Sequence, residues 1–227
     1  MKNQILLYIN AFLFTLSIYS QAPRGLHIAA GFAQTNLKSD DLIKESQPGF
    51  YVGLHGLMGY HENYNFQIEF TYKQNPLDVK YVEDTFEEAK SSKYKYSDLS
   101  LGLYVNYYIL KPEEDKFYLG PQAGLFLSYV DPITPSKGAN TNYQYYLPHL
   151  LEESDLSDST KYNYGFGAGL TGGYNNFRFD LRYSLGLANV LQDVEVNSYS
   201  STNTYTGPKL QGKTSTISFG ISYNIWH

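Results

Sequence analysis

No cysteine occurs among the 227 residues, so a disulfide framework, a lipoprotein anchor and any thiolate-held metal are excluded. After residue 20 there is no apolar run near the ~20 residues that a membrane-crossing helix needs, which excludes a helical membrane bundle. Charge is sparse: Asp, Glu, Lys and Arg make up 17% of the chain, the formal net charge is -5, and mean hydropathy is -0.39. Mild acidity argues against nucleic acid as a partner. HExxH, CxxC and GxSxG arrangements are missing too. GFGAGLTGG at 165–173 lies inside an expected strand with no helix after it, so it is not a phosphate-binding loop. No cofactor is expected. None of these absences excludes a β-barrel, because a crossing strand needs only ~9–11 residues and places every second one in lipid.

What the chain does have is alternation and tyrosine. From Thr216 to Trp226, Ile217, Phe219, Ile221, Tyr223 and Ile225 share one face, while Thr216, Ser218, Gly220, Ser222 and Asn224 share the other. A lipid-facing barrel strand reads this way. The 24 Tyr and 13 Phe supply two interfacial girdles, where a ring sits in the boundary and a hydroxyl stays wet. The period-2 rule gives eight strands, at 25–34, 49–60, 65–75, 97–109, 117–129, 162–174, 177–189 and 214–226. The first of these, GLHIAAGFAQ, is short and nearly apolar on both faces.

The connections alternate in length: 35–48, 76–96, 130–161 and 190–213 are long, whereas 61–64, 110–116 and 175–176 are short. Outer-membrane barrels have short periplasmic turns and long extracellular loops. The expected fold is therefore all-β, an eight-stranded antiparallel up-and-down transmembrane barrel with both termini periplasmic. Residues 1–20 read as a secretory signal, charged at Lys2, apolar from Ile5 to Ile18 and small at Ser20. The mature barrel domain is then 21–227, with cleavage after Ala22 a second choice because Pro23 adjoins it. Loss of Lys2 would take the net charge one unit lower.

Eight strands enclose a lumen just wide enough for side chains to fill it. The pleat points Gln67, Glu69 and Lys73 on the third strand inward, with Arg178, Asp180 and Arg182 on the seventh. Facing lipid, each Arg or Lys would cost roughly 2–4 kcal/mol. Inside they pair, and Tyr104, Asn106 and Gln122 satisfy remaining donors and acceptors. Inward glycines at 165, 167, 169 and 173, with Gly102, Gly120, Gly124, Gly186 and Gly220, leave room for Tyr104, Phe126 and Arg182 to lie across the lumen. A structural polar plug results, or else a narrow gated path whose Arg–carboxylate pairs open.

Four stretches resemble the PorT-like outer-membrane β-barrel proteins of Bacteroidota: Gly49-Phe-Tyr-Val-Gly-Leu54, Asn65-Phe-Gln-Ile-Glu-Phe-Thr-Tyr-Lys-Gln-Asn75, Leu119-Gly-Pro-Gln-Ala-Gly-Leu125 and Arg182-Tyr-Ser-Leu-Gly-Leu-Ala-Asn189. The last is the most specific. The terminal pattern of Ser218, Gly220, Tyr223 and Ile225, ending on Trp226-His227 rather than Phe, resembles the assembly signal read by the outer-membrane insertion machinery. The resemblance implies an outer-membrane location and an eight-stranded barrel. The family shares no catalytic residues. Its name-giving member is linked to a secretion apparatus, a role that these barrel-building motifs do not carry over.

Of the five histidines, His27, His55, His61, His149 and His227, only His149 falls in a long loop, beside Glu152, Glu153 and Ser154 in a segment, 147–154, that reads as one amphipathic turn. A solvated loop face is the reading given to it, and likewise to the acids at Glu83, Asp84, Glu87, Glu88, Asp155 and Asp158, which lack the spacing of a calcium loop. Tyr143, Tyr145, Tyr146, Tyr199 and Tyr205 combine flat aromatic area with adaptable polar neighbours and are the candidate binding groups of the loops. The expected function is non-enzymatic: a structural or accessory subunit of an envelope or secretion assembly. Its expected partners are outer-membrane lipid or lipopolysaccharide, the insertion machinery and a larger outer-membrane complex. A narrow channel, a surface adhesin and a lipid-modifying enzyme are the alternatives.

Overall fold

The computed structural model describes residues 25–39, 44–61, 63–81, 90–112, 117–136, 144–146, 149–151, 159–194, 197–200, 203–206 and 210–226. The expected signal segment lies outside the described residues. Eight long strands form the body: β1 (Gly25–Lys38), β2 (Gly49–His61), β3 (Tyr64–Tyr81), β4 (Lys90–Tyr107), β5 (Tyr118–Val130), β6 (Tyr162–Tyr174), β7 (Phe177–Gly186) and β8 (Lys213–Trp226). Each pairs antiparallel with its sequence neighbours, and β8 returns to pair with β1, so the sheet has no open edge in its body. This is a closed eight-stranded up-and-down barrel.

Alternation decides which side chains face out. On β4, Leu99, Leu101, Leu103, Val105 and Tyr107 are exposed while Ser100, Gly102, Tyr104 and Asn106 are buried between them. On β8 the exposed set is Ile217, Phe219, Ile221, Tyr223 and Ile225. Aromatic rings gather at both rims of this apolar band. Tyr129 meets Tyr162 edge-on at 5.8 Å near the long-connection end, and Phe177 meets Tyr223 at 5.1 Å near the short-turn end. The turn Tyr174-Asn175-Asn176-Phe177 is a two-residue hairpin in which Asn175 takes a left-handed φ of 51°. Asn tolerates that conformation better than most residues.

Several strand bounds differ from the sequence reading. β1 runs to Lys38 and alternates cleanly, with Ala29, Ala33, Thr35 and Leu37 buried against exposed Ile28 and Phe32. β7 ends at Gly186 rather than 189. The largest correction concerns 76–96, expected as a loop: β3 and β4 stay paired from Pro76↔Lys95 to Tyr81↔Lys90, leaving only 82–89 as the connection. Alternation persists there with its sense reversed. Within the band the inward face of β3 is polar, with Gln67, Glu69 and Thr71, whereas beyond Asn75 the same face becomes Leu77 and Val79. A pattern of apolar-out gives way to apolar-in where the strand leaves lipid for water.

That reversal builds a second interior layer. Leu77 and Val79 pack with Tyr94 and Tyr96 of β4, Leu37 of β1, Val130 of β5, and Ile133, Val190, Leu191, Val194 and Leu210 from the connections. Asn189 fixes the segment after β7: its Oδ1 accepts the Leu191 and Gly212 amides at 3.2 and 2.7 Å, and its Nδ2 donates to the Leu210 carbonyl at 3.0 Å. Short strands brace the rim, with Lys44–Ser46 on β3 and Thr134–Pro135 on β4. The long connections also hold two small hairpins, Gln144–Tyr146 with His149–Leu151 and Asn197–Ser200 with Asn203–Thr206. His149 therefore sits on a paired strand rather than in the expected amphipathic turn. Residues 147–148 and 152–154 of that turn lie outside the described residues.

Candidate functional site in the lumen

The charged groups of the band meet inside the barrel because β3 and β7, though not adjacent in the sheet, face each other across the lumen. Arg178, 1% exposed, donates through Nε and Nη2 to Asp180 Oδ1 at 3.2 and 2.8 Å. Its Nη2 also donates to Gln67 Oε1 at 2.5 Å and to Asn106 Oδ1 at 3.3 Å. Arg182 donates from Nη1 to Glu69 Oε1 at 2.6 Å and from Nη2 to Gln122 Oε1 at 2.7 Å. Two amides join the nodes: Gln67 Nε2 donates to Glu69 Oε2 at 2.9 Å, and Gln122 Nε2 to Asp180 Oδ1 at 3.0 Å. Tyr104 adds its ring face, with the ring centroid 3.7 Å from the Arg182 guanidinium carbon.

Thus Gln67, Glu69, Asn106, Gln122, Arg178, Asp180 and Arg182 belong to one network, with Tyr104 stacked on it. Lys73 does not join. It points toward the long-connection end and donates to Asp98 Oδ1 at 3.2 Å and Ser100 Oγ at 3.0 Å. Asp98 was missed by the sequence reading, although it shares the inward parity of Ser100 and Tyr104. His55 was also passed over: it lies in register with Glu69, its Nε2 3.8 Å from Glu69 Oε2. Taken together the band holds Arg178, Arg182 and Lys73 against Asp180, Glu69 and Asp98, each cation matched by a carboxylate. In a low-dielectric interior such matching is required, since an unpaired buried charge costs several kcal/mol. Between the network and β2 lies a small cavity lined by Tyr51, His55, Thr71, Lys73, Arg182 and Ser218 among others, of about 20 Å³, enough for a water or two.

Glycine makes room for the large groups. A side-chain carbon on Gly102 would come within 2.6 Å of the Tyr104 ring and 2.7 Å of Glu69, and one on Gly220 within 1.7 Å of Tyr51 Oη. Ser218 and Gly220 of the expected assembly signal therefore face the lumen, whereas Tyr223 and Ile225 face out and Trp226, the last residue of the strand, is exposed. Tyr145 and Tyr146 lie on the Gln144–Tyr146 strand, Tyr199 on Asn197–Ser200 and Tyr205 on Asn203–Thr206. Tyr143 lies outside the described residues. Among the described residues no group of three His, Asp or Glu is placed to hold a metal ion.

Residues 19–192 match the family described as outer membrane protein beta-barrel domain. Among solved structures the chain is similar to Ail, the attachment invasion locus protein of Yersinia pestis: 15% identity, covering 88% of this chain and 99% of that one, with a TM-score of 0.44. OprG from Pseudomonas aeruginosa gives 13% identity over 89% and 98% of the two chains, with a TM-score of 0.43. Neisserial surface protein A gives 15% over 88% and 97%, with a TM-score of 0.41. No curated protein sequence matches the chain.

Proposed function

Because the chain belongs to the outer membrane protein beta-barrel domain family, we propose that it acts as a closed, non-enzymatic barrel whose work is done at its long-connection end, as a structural or accessory subunit of an envelope assembly. The observation that carries this reading is the double filling of the lumen. Polar side chains matched in charge occupy the band, and an apolar core of Leu77, Val79, Tyr94, Tyr96, Leu191 and their neighbours occupies the mouth above them. Neither layer offers a solute a path, so function passes to the surface. The Tyr-bearing hairpins are the groups with adaptable contact area there. All four long connections leave one end of the barrel, which supports placing that end outside the cell and both termini in the periplasm. The β8 pattern is assigned to recognition by the insertion machinery. Kinship with PorT-like barrels of Bacteroidota rests on the Arg182–Asn189 stretch, in which Arg182 anchors the network and Asn189 ties down the mouth.

A pull-down from native membranes in mild detergent, with a tag near Asn203 and mass spectrometry as readout, should return a larger outer-membrane protein at fixed stoichiometry. Recovery of a lone, heat-modifiable monomer would overturn the accessory-subunit reading.

A further inference from the structure

His55 faces the lumen from β2, 2% exposed, and among the described residues neither of its ring nitrogens has a hydrogen-bond partner. Buried polar side-chain atoms are nearly always hydrogen-bonded, so an orphaned imidazole calls for a reason. Register supplies its surroundings: His27 of β1 stands directly opposite on one side and Glu69 of β3 on the other. From across the lumen Arg178, Asp180 and Arg182 of β7 act on the ring. Tyr51 of its own strand, Lys73 of β3 and uncharged Ser218 of β8 line the small cavity beside it. With His55 neutral the layer is balanced, Arg178 and Arg182 against Asp180 and Glu69, while Lys73 is matched by Asp98. A proton on His55 adds a positive charge with no counter-ion of its own, in a space where unmatched charge is costly. Protonation makes both ring nitrogens donors, so Nε2 becomes one whichever tautomer came before. Glu69 Oε2 stands 3.8 Å from it, about 1 Å too far for a charge-assisted hydrogen bond. The cavity touches both side chains and gives the ring room to close that gap. Oε2 already accepts from Gln67, and a carboxylate oxygen has a second lone pair to offer. Glu69 would then serve two cations, because Arg182 holds Oε1 at 2.6 Å. Asp180 is the carboxylate to which Arg182 can turn, since it lines the same cavity and lies within electrostatic reach of that guanidinium.

We propose that His55 is a proton-operated switch within the lumen: when protonated it takes Glu69 and turns Arg182 toward Asp180, loosening the strut that joins β3 to β7. His27 limits the switch to a single proton, because like charges directly opposite each other across a ladder repel. The apolar layer of the mouth, built on Leu77, Val79, Tyr94 and Leu191, lies above this exchange, so the barrel stays closed in both states.

The test uses the full chain in detergent micelles, with NMR of the histidine rings and of the arginine Nε–H groups reading both ends of the switch. Arg24, Arg178 and Arg182 are the only arginines in the chain, so the Arg182 signal is readily assigned. Between about pH 8 and about pH 5, the span across which histidine changes charge, the His55 ring and the Arg182 Nε–H signal should move together with one midpoint. His55→Gln, folded by heat-modifiability, should hold the Arg182 signal still over that span, and His27→Gln should leave the coupled movement in place. A His55 ring that takes up no proton above about pH 5, or one that titrates while Arg182 stays still, would overturn the switch; both are read on the wild type and need no variant. Movement of Arg182 that persists in His55→Gln and vanishes in His27→Gln would overturn it as well, because the proton would then sit on His27.

Discussion

Replacing Arg182 with Leu should lower the stability of the folded barrel by about 3–5 kcal/mol, the cost of leaving one partner of a buried ion pair without the other. The guanidinium is the only described donor to Glu69 Oε1 at 2.6 Å, it holds Gln122 Oε1 at 2.7 Å, and it covers the face of Tyr104. Leu fills similar space but returns none of these contacts. Glu69 is then left charged in the lumen, with Gln67 and, at 3.8 Å, His55 as its remaining neighbours. Urea unfolding from lipid vesicles, followed by gel mobility of folded and unfolded forms, gives the number. The double variant Arg182→Leu, Glu69→Gln should recover much of the loss, because the orphaned charge is removed with its partner. A double variant no more stable than the single one would mean that the pair is not the source of the effect.

Gly220→Val should be the most damaging small substitution in β8. A side-chain carbon at 220 would stand 1.7 Å from Tyr51 Oη, 2.5 Å from Tyr51 Cζ and 3.0 Å from the Ala30 carbonyl. The Tyr51 ring also lies over Gly31, where a side-chain carbon would come within 2.7 Å of Cε1, so the ring is packed against glycines of both seam strands. Overpacking of this kind costs about 1–3 kcal/mol or more, and it falls on the β1–β8 seam that closes the barrel. Tyr51→Leu in the same chain should restore folding into vesicles, where no insertion machinery is present. Failure of that rescue would mean that the glycine is needed for a reason other than the space it leaves for Tyr51.

Much of the barrel was legible in the sequence because a lipid-facing strand is a strong pattern. Leu99 to Tyr107 and Ile217 to Ile225 each place large apolar groups at every second position, and lipid tolerates few exceptions. The ends were less legible. Leu77, Val79, Tyr94 and Tyr96 also alternate, but on the face that had been polar a few residues earlier, so a search for apolar-out strands stops at Asn75 and reads a loop. The environment on both sides of the sheet has changed there, and the chain has not. The lumen residues could be assigned a side by parity alone, which is why Glu69, Arg178 and Arg182 were singled out together. Parity gives a face and not a height, however. Lys73 shares the face of Glu69 but sits four residues higher, and it pairs with Asp98 instead of joining the central network. Asn189 gave no signal beyond its place in a motif, since its role depends on where Leu210 and Gly212 return in space.

The central claim is that the lumen is closed by two layers of unlike chemistry, and single-channel recording of the full chain in planar bilayers tests it most directly. The purified, folded barrel should insert and remain electrically silent. A steady unitary conductance from the wild-type chain, altered when Arg178 or Arg182 is neutralised, would contradict the closed barrel and make the paired charges a conducting path.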